Sequence, residues 1–329
     1  MNTMRAIVAE APGEPDSLRL REIPVPEPGE AEVQIRVAYS PLNPLDTHAR
    51  ADRIKWSHPG FPFVTGYEYA GRIERVGTGV DSNMIGTRVA VRGQWGGNAD
   101  FAVAPVRELV MIPDKFSWML GSVFSTTGPT AWHLVYSAGR VRRGQTVLVH
   151  SAAGSVGALT AQIAKSAGAR VIGLAGGPEK CEYAAQFGMD KVFDYQLGDW
   201  PDKVMAVTDG RGADVIIDGN AGPDAALNYE VCAPLGNVIY IGAIAGHAPD
   251  VNISMLIGKS ISVTGFVVPL HQQTTHGAEQ ADIESRLSSG DWVIPIEMIA
   301  TLDAVPELHR QFEARELVGR TLIEVGGDV

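Results

Sequence analysis

The stretch VLVHSAAGSVGALTAQIAKSAGA, Val147 to Ala169, constrains the fold of this chain more than any other. VLVH reads as a buried strand, AGSVG as a turn, and ALTAQIAKSAG as a helix. The packed side of that helix carries Ala158, Leu159, Ile163, Ala164 and Ala167, and Gly168 is its C-terminal stop. At such a helix N-terminus free amide N–H groups and the helix dipole face an anion, a pyrophosphate above all. The residues SAAGSVG match the dinucleotide pattern G-x-G-x-x-G except that Ala152 stands at the first glycine. Gly154 lets the backbone approach phosphates, and Gly157 lets the helix pack closely on the strand. The first position asks only for a tight turn, which alanine can fill. The bland alternative is a glycine turn that serves packing alone.

The context favours the cofactor reading. From about Gly128 strand and helix patterns alternate: TVLVH, RVIGLAG, KVFDY, DVIIDGN, NVIYIGAIAG and SISVTGFVV are near-continuous apolar runs, as strands of a parallel sheet covered on both faces are. Residues 126–268 therefore form a doubly wound α/β domain. Residues 1–125 read instead as short strands broken by turns (AIVAE, VQIRVAYS, EYAGRIERVG, TRVAVRG, DFAVAP, ELVMIP), which predicts an antiparallel, barrel-like domain. After Val268 come two helical stretches, HGAEQADIESRLSSG and DAVPELHRQFEAR, and a last strand, GRTLIEV. That strand has no place in a finished parallel sheet, so residues 269–329 are assigned back to the first domain.

Composition closes off other classes. The formal charge is -11 over 329 residues, with no basic block, which excludes nucleic acid and anionic membrane as expected partners. No apolar run approaches the ~18 residues of a spanning helix, and the start turns at once into a strand pattern, so a cytoplasmic protein is expected. Two cysteines, Cys181 and Cys232, rule out a disulfide framework and a cysteine-rich zinc site.

The choice of dinucleotide lies at the end of the next strand. An NAD site places Asp or Glu there for the ribose 2'-hydroxyl, whereas Leu174, Ala175, Gly176 and Gly177 offer no carboxylate. Lys180 opens the following helix and Tyr195 ends the following strand, so both can close on a 2'-phosphate. NADPH is the expected cofactor, with Glu179 beside the lysine as the opposing sign.

Together LNPLD at 42–46, GYEYAGRIERVG at 66–77, GGNADFAV at 96–103, TGPTAWHL at 127–134, SAAGSVG and the terminal VGRTLIEV resemble the medium-chain dehydrogenase/reductase superfamily, in its zinc-free quinone oxidoreductase (zeta-crystallin-like) branch. Members of that branch usually carry the alanine found at Ala152. The resemblance implies a GroES-like catalytic domain built from both chain ends, a Rossmann domain between them, NADPH, and a homodimer, often formed through the edge strand for which ISVTGF at 261–266 is the candidate. Zinc-dependent relatives place a cysteine at Asn43 and a histidine at Tyr67; both ligands are replaced here. SVFSTTGPT, the third ligand region, holds no Cys, His, Asp or Glu.

Without a Lewis acid, alcohol oxidation lacks its usual means of lowering the hydroxyl pKa, whereas reduction of an electron-poor acceptor does not need one. The implied chemistry is hydride transfer to a quinone or to an activated C=C bond (enone, enal or acrylate), with donors aimed at the oxygen that becomes an anion. By family position Asn43, Tyr67 and Thr130 face the nicotinamide. Asn43 either donates to a carbonyl or ribose oxygen or braces its turn; Tyr67 either donates a proton or walls the pocket; Thr130 either contacts the nicotinamide half or caps the helix AWHLVYSAG. Gly154, Ser155, Val156 and Gly157 take the pyrophosphate, and Asn220, Gly242, Ala243, Phe266, Val267 and Val268 lie at strand ends near the cofactor. Asp46 reads as a turn or salt-bridge residue, and His48, His58 and His133 as satisfied histidines. Trp56 and Trp95 either wall an aromatic pocket or pack a core. Enoyl-thioester reductases of the superfamily carry a catalytic tyrosine where Ile54 stands, which argues against acyl-thioester substrates. A zinc alcohol dehydrogenase and a non-catalytic NADPH-binding protein remain the alternatives.

Overall fold

The computed structural model describes residues 2–54, 58–247 and 251–329, and Trp56 lies outside them. Among the described residues the chain divides into two compact units, 1–126 with 296–329, and 127–295.

The first unit opens with β1 (Thr3–Ala9), β2 (Leu18–Pro24), β3 (Glu32–Pro41), α1 (Pro44–Arg50), β4 (Phe63–Val64), β5 (Glu68–Val76), β6 (Arg88–Arg92), β7 (Phe101–Pro105) and β8 (Leu109–Met111). β2, β1 and β4 make a small antiparallel sheet. β3, β5, β6 and β8 make the larger one, with β7 also paired to β3. β3 alternates little, because nearly every residue from Val33 to Pro41 is buried. Its inward residues Val33, Ile35 and Val37 join Tyr69, Ile73 and Val89 in the core. Gly71 is required where β5 crosses β3, since a Cβ there would stand 2.1 Å from the Arg36 carbonyl oxygen.

α2 (Trp118–His133) carries the chain across the boundary. It begins ten residues before the sequence texture changes, so Thr130 sits inside a helix and not at an N-cap. The second unit continues through β9 (Thr146–Val149), α3 (Ser155–Ser166), β10 (Arg170–Ala175), α4 (Pro178–Ala185), β11 (Lys191–Asp194), α5 (Trp200–Val207), β12 (Ala213–Asp218), α6 (Leu227–Val231), β13 (Cys232–Tyr240), α7 (Ile253–Lys259), β14 (Ser262–Gly265), α8 (Val268–Thr275) and α9 (Ala278–Ser289). The strands form a parallel sheet in the order β11-β10-β9-β12-β13-β14, the Rossmann arrangement.

The chain then returns to the first unit through β15 (Ile296–Thr301), α10 (Val305–Glu313) and β16 (Arg320–Glu324). β16 pairs antiparallel with β3 and parallel with β15, which gives the final strand its place. The expected boundary at 268 needs correction. α8 and α9 stay with the second unit because Ile283 packs where Gly128 leaves no side chain, and the Trp292 indole donates to Ser166. Only 296–329 completes the first unit.

Candidate active site

In the second unit the turn between β9 and α3 explains the missing glycine. The left-handed backbone position falls on Ser151 (φ +52°), one residue before Ala152, so position 152 needs no glycine. Ala152 is held by its N–H to the Leu174 carbonyl, and Gly173 leaves room for its methyl group: a Cβ there would come within 2.9 Å of the Ala152 Cβ. Gly157 is obligatory, since a Cβ would lie 2.4 Å from the Ser151 carbonyl oxygen. Gly154 is the N-cap of α3, and a Cβ there would meet only that same oxygen at 3.3 Å, so the face it leaves bare is open to a ligand. Ser155, Val156 and Gly157 form the first turn of α3, where N–H groups lack intrahelical partners. Buried Ala158, Leu159, Ile163 and Ala164 seat the helix, and Gly168 (φ +84°) ends it.

At the end of β10 the Tyr195 phenol lies over Gly176, where a Cβ would fall 2.8 Å from the phenol oxygen. Lys180 is the third residue of α4, half-buried near the same turn. The sequence reading missed Asp194: from the end of β11 its Oδ1 accepts the N–H of Gly177 at 2.9 Å and of Gln196 at 2.9 Å. A carboxylate thus does reach the turn, from the neighbouring strand, and this oxygen serves the backbone. Asn220 follows β12, Gly242 and Ala243 follow β13, and Phe266 and Val267 link β14 to α8, which Val268 opens. Gly242 passes close to Gly219, and the Phe266 ring stacks on His271 at 4.8 Å. All of these positions, with Thr130, belong to the second unit.

In the first unit β3 and β16 run side by side and deliver Asn43 and Arg320, 277 residues apart, to one place. Asn43 Nδ2 donates to the Pro41 carbonyl (3.2 Å) and to Glu68 Oε2 (3.1 Å), while its Oδ1 accepts from Arg320 Nη2 (2.9 Å). The same Arg320 nitrogen donates to Glu68 Oε2 at 2.5 Å. Both amide hydrogens are therefore engaged within the protein, which supports bracing over donation to a substrate. Burial pushes the Glu68 carboxyl up, opposed by Arg320, Thr126 and Asn43.

Asp46, buried, ties the same segments together. Its Oδ2 accepts the Asn43 N–H (2.8 Å), and its Oδ1 accepts the N–H groups of Gly66 and Tyr67 (3.1 Å each). Gly66 (φ +91°) must be glycine, because a Cβ would stand 2.5 Å from the Asn98 nitrogen. The Tyr67 ring meets Trp95 at 4.9 Å between centroids, and Trp95 meets Phe63 at 5.1 Å, with Phe61 and His58 beyond. Both His58 nitrogens are engaged, with the Ala49 carbonyl and the Gly60 N–H. His133 is buried with Nδ1 on Ser137 and Nε2 3.6 Å from Glu279, in the second unit. Burial pushes His48 down. Among the described residues no three His, Cys, Asp or Glu side chains cluster as a metal site. Nor is any helix of those residues long and apolar enough to cross a membrane.

Comparison with known proteins supplies the family. Residues 29–114 match the alcohol dehydrogenase GroES-like domain, and residues 155–281 the zinc-binding dehydrogenase domain. The chain is 30% identical to a quinone oxidoreductase of Pseudomonas aeruginosa over 94% of its own length and 96% of that protein. It is also 30% identical to the quinone oxidoreductase of Rattus norvegicus, over 89% and 88% of the two chains. Among solved structures, a mycobacterial protein complexed with NADPH superposes with a TM-score of 0.90 at 28% identity, covering 98% of this chain and 99% of that one. The quinone oxidoreductase of Pseudomonas syringae does so with a TM-score of 0.89, again at 28% identity and with the same coverage of both chains. The chain belongs to the medium-chain dehydrogenase/reductase superfamily, in its quinone oxidoreductase branch.

Proposed function

We propose that the protein is an NADPH-dependent, metal-independent reductase that passes hydride to a quinone or to an activated C=C bond, and that it works as a homodimer. The turn from Ser151 to Gly157 carries the reading. Gly157 lets α3 close on the Ser151 carbonyl, and Gly154 leaves bare backbone at the N-terminus of α3, where a phosphate would meet N–H groups. The relative solved with NADPH supports the choice of cofactor, as does the Tyr195 phenol over Gly176 with Lys180 one turn away.

NADPH supplies the hydride, and the protein's own groups bind, orient and protonate. Gly154, Ser155, Val156 and Gly157 hold the pyrophosphate; Gly176, Lys180 and Tyr195 take the 2'-phosphate; Thr130, Asn220, Gly242, Ala243 and Phe266 to Val268 line the nicotinamide half. Tyr67 donates a hydrogen bond, then a proton, to the acceptor oxygen as it gains negative charge. Asn43 serves by fixing the segment that carries it, through Glu68 and Arg320. An amide and a phenol at these two positions favour metal-independent chemistry. The half-buried rings of Tyr67 and Trp95, in contact at 4.9 Å with Phe63 in the core behind them, favour an aromatic quinone ring over an aliphatic enone.

The test is oxidation of NADPH against a panel of quinones, enones, enals and acrylates, with NADH as control. Turnover of quinones with NADPH is expected. Preference for NADH would overturn the roles of Lys180 and Tyr195 and point to Asp194. Tight NADPH binding without turnover of any acceptor would mark a non-catalytic binding protein, and one tightly held zinc per chain an alcohol dehydrogenase.

A further inference from the structure

In the second unit's sheet the strand order reverses between β9 and β12: the chain builds outward from β9 through β10 and β11, then resumes on the other side through β12, β13 and β14. Open α/β sheets bind ligands outside the carboxyl ends of the strands at this reversal. The two turns that leave β9 and β12 are joined there by a closed ring of hydrogen bonds. His150 Nε2 meets Asn228 Oδ1 at 2.7 Å, and Asn228 Nδ2 donates to Asp218 Oδ2 at 2.8 Å. Asp218 Oδ1 accepts the N–H groups of Asn220 (2.7 Å) and Ala221 (3.1 Å). Ser151 Oγ donates to Asn220 Oδ1 at 2.9 Å, and the backbone from Ser151 to His150 closes the ring.

The ring dictates its own proton positions. Asn228 gives its N–H to Asp218, so its oxygen faces His150, and His150 carries its proton on Nε2. Nδ1 then faces Asp218 Oδ1 at 3.9 Å, and the imidazole stands edge-on to Trp200 at 5.6 Å. Asp218 and Asn228 are buried, and the ring spans two non-glycine residues in the left-handed region, Ser151 (φ +52°) and Ala221 (φ +48°). Backbone of that kind persists where its surroundings over-determine it. The hydroxyl of Ser151 fixes the Asn220 carboxamide by its oxygen, and its Nδ2 is the part offered to a ligand.

We propose that His150, Asn228 and Asp218 are positioning residues for the dinucleotide, a ring that holds Asn220 so that its amide N–H group meets a carbonyl or ribose oxygen of the nicotinamide half. This rests on the NADPH reading given above. NADPH affinity, measured by fluorescence titration of the full chain, should weaken about tenfold in Asn228→Ala and in His150→Phe, the loss of one oriented hydrogen bond. His150→Gln keeps an N–H where Nε2 stands and should restore affinity. Asn220→Ala combined with Asn228→Ala should cost no more than either change alone, since both act through one contact.

A second measurement needs no cofactor. The side-chain amide resonances of Asn220, assigned with Asn220→Ala, should move in His150→Phe and in Asn228→Ala and stay in place in His150→Gln. Additive losses, failure of glutamine to rescue, or unmoved Asn220 resonances would overturn the inference. Moved resonances in a protein that binds no NADPH would instead sink the cofactor reading while upholding the ring's coupling.

Discussion

Burial pushes the Asp46 carboxyl up to about 6, against the pull of the Asn43, Tyr67 and Gly66 N–H groups and of Arg320. Its folded value lies above the ordinary 3.8, so the native state binds the proton more tightly than the unfolded chain does. The contribution is fully present below the ordinary value and is lost as pH rises through about 6. Measured by urea unfolding against Asp46→Asn, native stability should therefore decline by about 3 kcal/mol across that window. A flat difference would mean that the three N–H groups and Arg320 fully offset burial, and a stability that rises with pH that they outweigh it. His309 has the opposite sign: burial, with Arg50 beside it, pushes the imidazole down to about 3. Its contribution is lost as pH falls from the ordinary 6.5 toward about 3, so His309→Phe should lose stability less steeply on acidification, by about 1 kcal/mol per pH unit. On the chemical side, Tyr67→Phe should lower kcat at least about 100-fold on the best quinone with KM for NADPH unchanged. Asn43 and Asp46 stood in plain view in LNPLD, yet their partners did not. Glu68 and Arg320 lie 252 residues apart, and no local pattern states that the last strand returns beside β3.

At the scale of the element, the glycine turn makes two separable predictions. Gly157→Ala drives a methyl group to 2.4 Å from the Ser151 carbonyl oxygen, and that oxygen belongs to backbone that cannot yield, so α3 must shift off β9. A loss of about 1–3 kcal/mol in unfolding free energy is expected, together with loss of NADPH binding. Gly154→Ala meets the same oxygen at 3.3 Å and needs only a few tenths of an ångström of relief. Its stability should be nearly native while NADPH affinity drops, because the methyl group occupies the phosphate's side of the turn. Equal stability losses in both variants would show that Gly154 serves packing, as the bland reading has it. Elements with a clear apolar run or helical face were legible: β3, β5, β6, β9, β10, β12 and α3 fall where that pattern sets them, and α9 falls in the polar stretch read as a helix. β2 was not, because LRLREIP carries its apolar residues on a strand that is mostly exposed. β15 was not either, since IEMIAT is mostly exposed and, among the described residues, pairs with β16 alone. The start of α2 was hidden by Gly121, Gly128 and Pro129, residues that read as breaks yet lie inside the helix.

The second unit ends its parallel sheet on two unlike edges. β11 forms one edge and carries Lys191 and Asp194, charges of the kind that discourage further pairing. β14 forms the other edge with the sequence SVTG, free of charge and of proline, and Val263 on it is 43% exposed. The flanking elements add Ile253 and Ile257 on α7 and Leu270 on α8, all exposed. An uncharged edge strand among exposed aliphatic side chains is a template for another strand, and the proposed homodimer would supply it as β14 of a second copy. In the homodimer proposed above, the two edge strands would pair antiparallel about a two-fold axis and extend the sheet across both subunits. Light scattering should then report a particle of twice the 35.1 kDa chain mass. Val263→Lys with Ile257→Lys places four like charges at a two-fold interface and should raise the dissociation constant at least about 100-fold, giving monomers at micromolar concentration. Neither Val263 nor Ile257 is among the residues assigned to the cofactor, so the monomeric variant should still bind NADPH. A wild type that is monomeric, or a double variant that stays dimeric, would show that β14 is not the joining edge.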